Sequence, residues 1–332
     1  MVRLKKHDIV TFGNAFRDVF MYDTDFQVVK SSKFITGQAI GLELGSKKEI
    51  TNIAFDTGGG ATNSAVTFSR LGYKTAFVSR LGKNDIRSKE ILRRLELEKV
   101  DTSLVSHDDK KEAGYTVILL TRKGERTAMV HRGVSSDMSI KNIPINKIHA
   151  KWFYITSLGG DIKTLSYIID YAKKNNISVA LNPGMSELTT NKNKLKSILK
   201  DTSILFLNDQ EAGVLTGLMN KQDRILLKNI CCYLPGIVVI TSGKRGAFVC
   251  DNKKHYHSNI HSVKVIDATG AGDAFGSGFL AAYIKTGNIK YSLQVGTENS
   301  ESVIQHIGAK QGIIRRFPKK SSIKVTSQKT AY

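Results

Sequence analysis

Short apolar, β-branched runs alternate with longer amphipathic stretches through most of this 332-residue chain. Asp8-Ile-Val-Thr-Phe-Gly13 reads as a first buried strand closed by glycine. Residues 152–156, 177–181, 204–207 and 237–240 read as further strands of the same kind. Residues 61–71 and 163–174 carry helical periodicity, the first with Gly72 as its C-cap. Strands that alternate with helices predict a parallel sheet covered by helices on both faces.

Two segments break that rhythm. Residues 19–55 alternate polar and apolar positions, punctuated by Gly37, Gly41 and Gly45, and predict short antiparallel strands. Residues 114–132 predict a hairpin that turns at Lys123-Gly124-Glu125. Together they predict a small sheet standing off the α/β body as a lid, over about residues 19–55 and 111–134. Residues 1–317 read as one domain and 318–332 as a flexible tail.

Composition narrows the classes. No apolar stretch approaches the length of a membrane span, and the N-terminus lacks a signal-peptide pattern. Three cysteines without a CxxC pair argue against a disulfide framework or zinc site and fit a reducing cytoplasm. The net charge of +21 suggests polyanions as partners, but the basic residues are dispersed and not interleaved with aromatics. Solvated lysines account for them better than nucleic acid does.

The chemistry concentrates in Val263 to Ile284. Val263, Val265 and Ile266 read as a strand end, and residues 274–284 as a buried helix. Asp267-Ala268-Thr269-Gly270-Ala271-Gly272-Asp273 therefore lies at a helix N-terminus. Unpaired amides and the helix dipole make an anion site there. A carboxylate beside such a site suits phosphoryl transfer to a hydroxyl, which needs charge stabilisation and an oriented acceptor. On these grounds alone Asp273 is equally a helix cap, and Gly270-x-Gly272-x-x-x-Gly276 is one residue off the dinucleotide fingerprint. The dipole predicts a low pKa for Asp273.

Three other stretches carry candidates. Asn14 and Asp18 follow the first strand, where α/β ligand loops lie, and could bond a polyol or simply close an Asx-turn. Gly58-Gly59-Gly60 with Asn63 allows close backbone approach to a ligand. Asn208-x-x-Glu211 has the spacing of a capping box. No GxxxxGK[ST] sequence occurs, which excludes a P-loop enzyme.

The string DATGAGDAFGSGF resembles the C-terminal signature of ribokinase-like (PfkB-type) carbohydrate kinases, D-T-x-G-A-G-D, and departs from it at Ala268. GGGATNSA at 58–65, followed by Leu71-Gly72 and Gly82-Lys-Asn-Asp85, resembles the N-terminal signature. The resemblance spans about residues 8–315 and implies the ribokinase-like α/β fold: a central, mostly parallel sheet flanked by helices, with a small β-sheet lid. It implies a kinase that uses ATP and Mg²⁺ to phosphorylate a hydroxymethyl group of a sugar or sugar-like molecule. On that pattern Asp273 is the base and Gly270, Ala271 and Gly272 form the anion hole. Asn14, Asp18, Gly59, Gly60 and Asn63 bind substrate. Asn208 and Glu211 orient hydrated Mg²⁺ and phosphate, and Thr241, Gly243 and Gly246 form the nucleotide-phosphate loop. Asn299 lines the adenine pocket. Asp267 and Thr269 hold a monovalent cation such as K⁺.

Arg132 could meet a substrate carboxylate or phosphate, or be a solvated strand-end arginine. Three alternatives stay open. One is a nucleoside kinase of the same fold, with Phe16, Phe20 and Phe34 as candidates for the base pocket. The others are a non-catalytic sugar-binding regulator and a nucleic-acid binder. The lid either closes over substrate or pairs two copies as a homodimer.

Overall fold

The computed structural model describes residues 5–22, 24–34, 37–121 and 126–329. A nine-stranded sheet forms its backbone. In spatial order the strands are Val325–Lys329, Lys254–Ser258, Ala247–Cys250, Ile237–Thr241, Ile204–Asn208, Ser178–Leu181, His149–Ile155, Lys6–Phe12 and Thr75–Val78. The strands from Ile237–Thr241 to Thr75–Val78 run parallel. The first three join antiparallel.

Period-two alternation divides the strand side chains between two helical layers. Val10, Phe153, Ile155, Leu205, Leu207, Val238 and Ile240 face one layer. That layer includes helices Ile162–Lys174, Asp209–Thr216 and Asp223–Cys231, whose apolar residues complete the core. Ile9, Tyr154, Ile204, Phe206 and Val239 face the other layer, with Phe275, Phe279 and Leu280 of helix Ala271–Thr286. The inner parallel strands are apolar on both sides because both sides are covered, whereas the edge strands Lys254–Ser258 and Val325–Lys329 are polar.

The lid is a four-stranded mixed sheet in the order Arg126–His131, Gly114–Leu120, Phe16–Tyr22 and Asn52–Gly58. A two-stranded ladder, Gln27–Lys30 with Gln38–Gly41, accompanies it. The expected hairpin forms from Gly114–Leu120 and Arg126–His131. Its turn at Lys123-Gly124-Glu125 lies outside the described residues.

Four expectations need correction. Residues 263–266 form no strand. They are an extended segment whose Val263 and Val265 line a cleft instead of pairing in a sheet. The tail is not wholly irregular: Val325–Lys329 pairs antiparallel with Lys254–Ser258, and Ile323 is buried. The lysines and serines there conceal a short apolar alternation that seals an otherwise open sheet edge. Cys231 and Cys250 are joined by a disulfide, which sequence spacing did not suggest because helix Asp223–Cys231 packs on strand Ala247–Cys250 only in the fold. Asp18 lies on a lid strand, not in a loop. No helix among the described residues is long and apolar enough to cross a membrane.

Candidate active site

Helix Ala271–Thr286 begins after Gly270, whose φ of 77° is left-handed. A side chain at Gly270 would collide with Ala309, so the turn demands glycine twice over. The first bond into the helix runs from the Ala274 amide to the Gly270 carbonyl, 2.9 Å. Among the described residues, the Gly272 and Asp273 amides before it donate to no acceptor. They face out at the positive end of the helix, as an oxyanion requires. Ala274 to Ala282 are buried, which anchors this end rigidly.

Gly58, Gly59 and Gly60 connect lid strand Asn52–Gly58 to helix Gly60–Arg70, and each has a neighbour where a Cβ would stand. At Gly58 it is the Asp18 carboxylate, and at Gly59 the Asn14 backbone. At Gly60 it is Asp273 Oδ1, 2.9 Å from that position. Three consecutive glycines thus bring the candidate substrate residues Asn14 and Asp18 close to Asp273. Asn63, in the first turn of the same helix, donates from Nδ2 to Asp273 Oδ2 at 2.8 Å. Asn14, Asp18 and Asn63 are all buried. Asn14 Oδ1 has no partner among the described residues, the condition of an atom reserved for a ligand.

Burial sets the electrostatics. Desolvation raises the Asp273 carboxyl above its ordinary value, against the Asn63 bond and the charge of Lys310, which lower it. This reverses the expectation from the helix dipole: the carboxylate has lost more hydration than the amides return. Asp18 is pushed up to about 6, first by desolvation, while Lys310 and a bond from Thr116 oppose the rise. Glu211 is raised to about 7 by burial and by the nearby charges of Asp273, Glu187 and Asp209.

A cavity of about 690 Å³ opens on the other side of the anion turn. Thr241, Gly243, Lys244 and Gly246 form one wall. Ile260, Val263, Val265, Phe275 and Ile304 make an apolar slot, and Ala271 and Gly272 floor it. The slot suits a flat heterocycle, and the glycine loop with Lys244 suits phosphates. Asp223 accepts from Ser242 Oγ at 2.6 Å and Arg245 Nε at 2.8 Å, which pins this loop to the next helix.

Other candidates take different places. Asn299 does not line the slot. It is fully buried, donates to the Ala274 carbonyl at 2.7 Å and accepts from the Ile314 amide at 3.0 Å. It clamps helix Ala271–Thr286, while Thr297 and Ser300, on Asn299's own helix Ile289–Val303, face the cavity. Arg132 is exposed. Phe20 is fully buried in the lid core, leaving the half-buried Phe16 and exposed Phe34 as the aromatic candidates. Asn208 and Glu211 form the capping box: Asn208 Oδ1 accepts from the Glu211 amide at 2.8 Å, and Glu211 Oε2 from the Asn208 amide at 2.9 Å. One Glu211 oxygen remains for another ligand. Asp267 accepts from the Thr269 amide at 2.9 Å, Thr269 Oγ1 at 2.6 Å and the Gly308 amide at 3.0 Å, which shapes the anion turn.

Sequence reasoning missed Lys310, Glu187 and the slot residues. Lys310 and Glu187 are single charges among many, and only burial distinguishes them. In sequence, Val263 and Val265 carry the β-branched signal of a strand end, which hides their place in the slot.

Residues 7–315 match the pfkB family carbohydrate kinase model. The chain is 26% identical over 263 residues to a ribokinase of Staphylococcus aureus, covering 77% of this chain and 84% of that one. It superposes on the Methanocaldococcus jannaschii nucleoside kinase, an archaeal ribokinase-family member, with TM-score 0.71 at 21% identity, covering 93% and 95% of the two chains. It superposes on Arabidopsis thaliana ribokinase complexed with ribose and ATP with TM-score 0.74 at 20% identity, covering 93% and 96%. The two structures share the ribokinase fold with this protein, and the match over residues 7–315 places the chain in the pfkB family of carbohydrate kinases.

Proposed function

We propose that this kinase transfers the γ-phosphoryl group of ATP to a hydroxymethyl group of a sugar or sugar-like acceptor. The observation that carries the reading is the junction at Asp273. Two partnerless amides and a carboxylate meet there, between the apolar slot on one side and Asn14, Asp18 and Asn63 on the other. The slot and glycine loop hold the nucleotide. Glu211 takes hydrated Mg²⁺, an ion that keeps most of its water and needs few protein oxygens. When bound, the ion would supply positive charge against the negative charge of the phosphates. The amides of the anion turn take charge that develops on the transferred group. Asp18 and Asn14 orient the acceptor by its hydroxyls, and Asp273 Oδ1 receives the proton. Its raised pKa makes it a better base near neutrality than an exposed aspartate.

An ADP-release screen over hexoses, pentoses, ketoses, sugar acids and nucleosides tests the reading; no acceptor-dependent ADP from any of them defeats it. Turnover restricted to nucleosides would favour the nucleoside-kinase alternative, for which Phe16 and Phe34 are the available aromatics. Asp18→Ala is expected to weaken acceptor binding by about 1–3 kcal/mol and leave ATP binding unchanged. Titration calorimetry with each ligand separates the two, and a loss confined to ATP would place Asp18 at the wrong end.

Protons and Mg²⁺ compete for Glu211. A carboxyl with pKa about 7 is mostly protonated below that pH. The apparent Mg²⁺ constant should therefore be roughly tenfold weaker at pH 6 than at pH 8. Activity against free Mg²⁺ at both values measures this, and Glu211→Gln should erase the difference. On the lid, Ile53, Phe55 and Met129 are at least half exposed on one face, which supports a homodimer through it. Sedimentation velocity decides it, a monomer at micromolar concentration being the contrary result.

A further inference from the structure

Lys310 lies just past the last helix, in Gly308-Ala-Lys310-Gln-Gly312. Among the described residues it is the one lysine or arginine that is wholly buried. Its Nζ donates to the Thr57 carbonyl, to Thr62 Oγ1 at 2.9 Å and to Asn63 Oδ1 at 2.6 Å. These three oxygens flank the Gly58-Gly59-Gly60 turn. None is a carboxylate: the direct partners of the ammonium are neutral, and Asp56, Asp18 and Asp273 act on it only through space. Burying an ion that makes no direct salt bridge is unfavourable, a cost an apolar residue would avoid. A cation kept at that cost implies a task.

The chemistry of the contacts identifies it. An ammonium has three donors and no acceptor. Asn63 must therefore turn its Oδ1 to Lys310 and present Nδ2 elsewhere. An amide orientation that is usually a matter of assignment is here dictated by charge. Nδ2 then meets Asp273 Oδ2 at 2.8 Å. The other oxygen, Oδ1, faces the Gly60 turn and the acceptor side. Were Asn63 free to flip, its own oxygen would meet the carboxylate and push it away.

We propose that Lys310 is a positioning residue for phosphoryl transfer: it fixes the Asn63 amide, and through it holds the Asp273 carboxylate with Oδ1 toward the acceptor hydroxyl. This rests on the kinase reading above. The positive charge also helps keep Asp273 and Asp18 ionised against their burial. Lys310 itself faces Asp56 and Asp18 on the lid strands, Arg94 on helix Ile86–Leu97 and Asp273. Asp273 further faces Tyr154 and Glu211. Desolvation and Arg94 lower Lys310 to about 8, so the lock opens as pH rises through that value.

The test is Lys310→Met, which keeps length and removes charge, assayed on an acceptor that the wild type phosphorylates. The expected kcat is about 10- to 100-fold lower, the scale of a small misplacement of a reacting group, with KM for ATP unchanged. The acid limb of kcat should move to higher pH, because Asp273 loses a favourable charge. The alkaline limb near pH 8 should disappear. Wild-type kcat with an unshifted profile would overturn the role of Lys310 and leave the kinase reading intact. Thr62→Val covers the case of a variant that does not fold. It deletes one of the three oxygens that favour the charged amine, so the alkaline limb should move to lower pH. A limb that stays in place refutes the proposal.

Discussion

Asp273→Asn is expected to lower kcat by roughly 10²–10⁴, the range for loss of a positioned base, while affinity for both ligands survives. The geometry makes the substitution unusually clean. Asn63 Nδ2 donates to Asp273 Oδ2 and Lys310 enforces that direction. A substituted asparagine must therefore turn its carbonyl oxygen to Asn63. Its NH₂ then faces the acceptor, a donor where an acceptor of the proton is needed. Stability separates this role from a capping role. Loss of a helix cap costs about 1 kcal/mol. Burial raises the Asp273 pKa, so the fold favours its protonated form. That contribution is present below the ordinary carboxylate pKa and is lost as pH rises through the raised one. A neutral asparagine escapes the penalty near neutral pH. The melting temperature at pH 7.5 should consequently hold or rise while turnover collapses. Unchanged turnover with a lowered melting temperature would make Asp273 a cap and remove the central residue of the mechanism.

Glu187→Ala should give the largest loss of stability away from the reacting atoms. Glu187 is almost wholly buried. Its Oε1 accepts from the amides of Leu158 at 2.7 Å and Gly160 at 2.9 Å. Its Oε2 accepts from the Gly184 amide at 2.9 Å, and Ser157 Oγ bonds both oxygens. One carboxylate thus ties together the loops that leave strands His149–Ile155 and Ser178–Leu181, at the carboxyl edge of the sheet. Alanine would take the acceptor from three amides at once, that of Leu158 buried and those of Gly160 and Gly184 partly buried. The cost should reach about 3–5 kcal/mol, as for other buried charges whose partners are left behind. For a chain of this size that is on the order of 5 °C in melting temperature. A second readout ties the residue to the site. Glu187 helps raise the Glu211 pKa, so its removal should shift the proton–Mg²⁺ competition to lower pH. A melting temperature within 1 °C of wild type would show that water replaces the carboxylate, a different account of this loop pair.

The fold was legible because its determinants are local. Both-sided apolar strands such as residues 204–207 and 237–240, separated by helical periodicity, already imply a covered parallel sheet. The anion turn was legible for the same reason. Glycines beside a helix start specify backbone conformation within a few residues: Gly270 is left-handed, although Gly272 is an ordinary helical residue. The lid strands were legible in kind. Their pairing, with Phe16–Tyr22 parallel to Gly114–Leu120, joins segments far apart in the chain and left no local mark.

What the sequence by itself determined was therefore the α/β architecture, the anion turn and the identity of the glycine run. Only the tertiary structure decided which charges are buried, because burial is a property of packing and not of spacing. It put Asp273 out of water, so that desolvation outweighs the helix dipole and the pKa rises instead of falling. It withdrew Asn299 from the cleft into a clamp on helix Ala271–Thr286 and drew Val263 and Val265 out of a sheet into the apolar slot. It brought Cys231 against Cys250 and the tail against the sheet edge. It also placed Lys310, some 250 residues along the chain from Asn63, where its ammonium dictates which way that amide points.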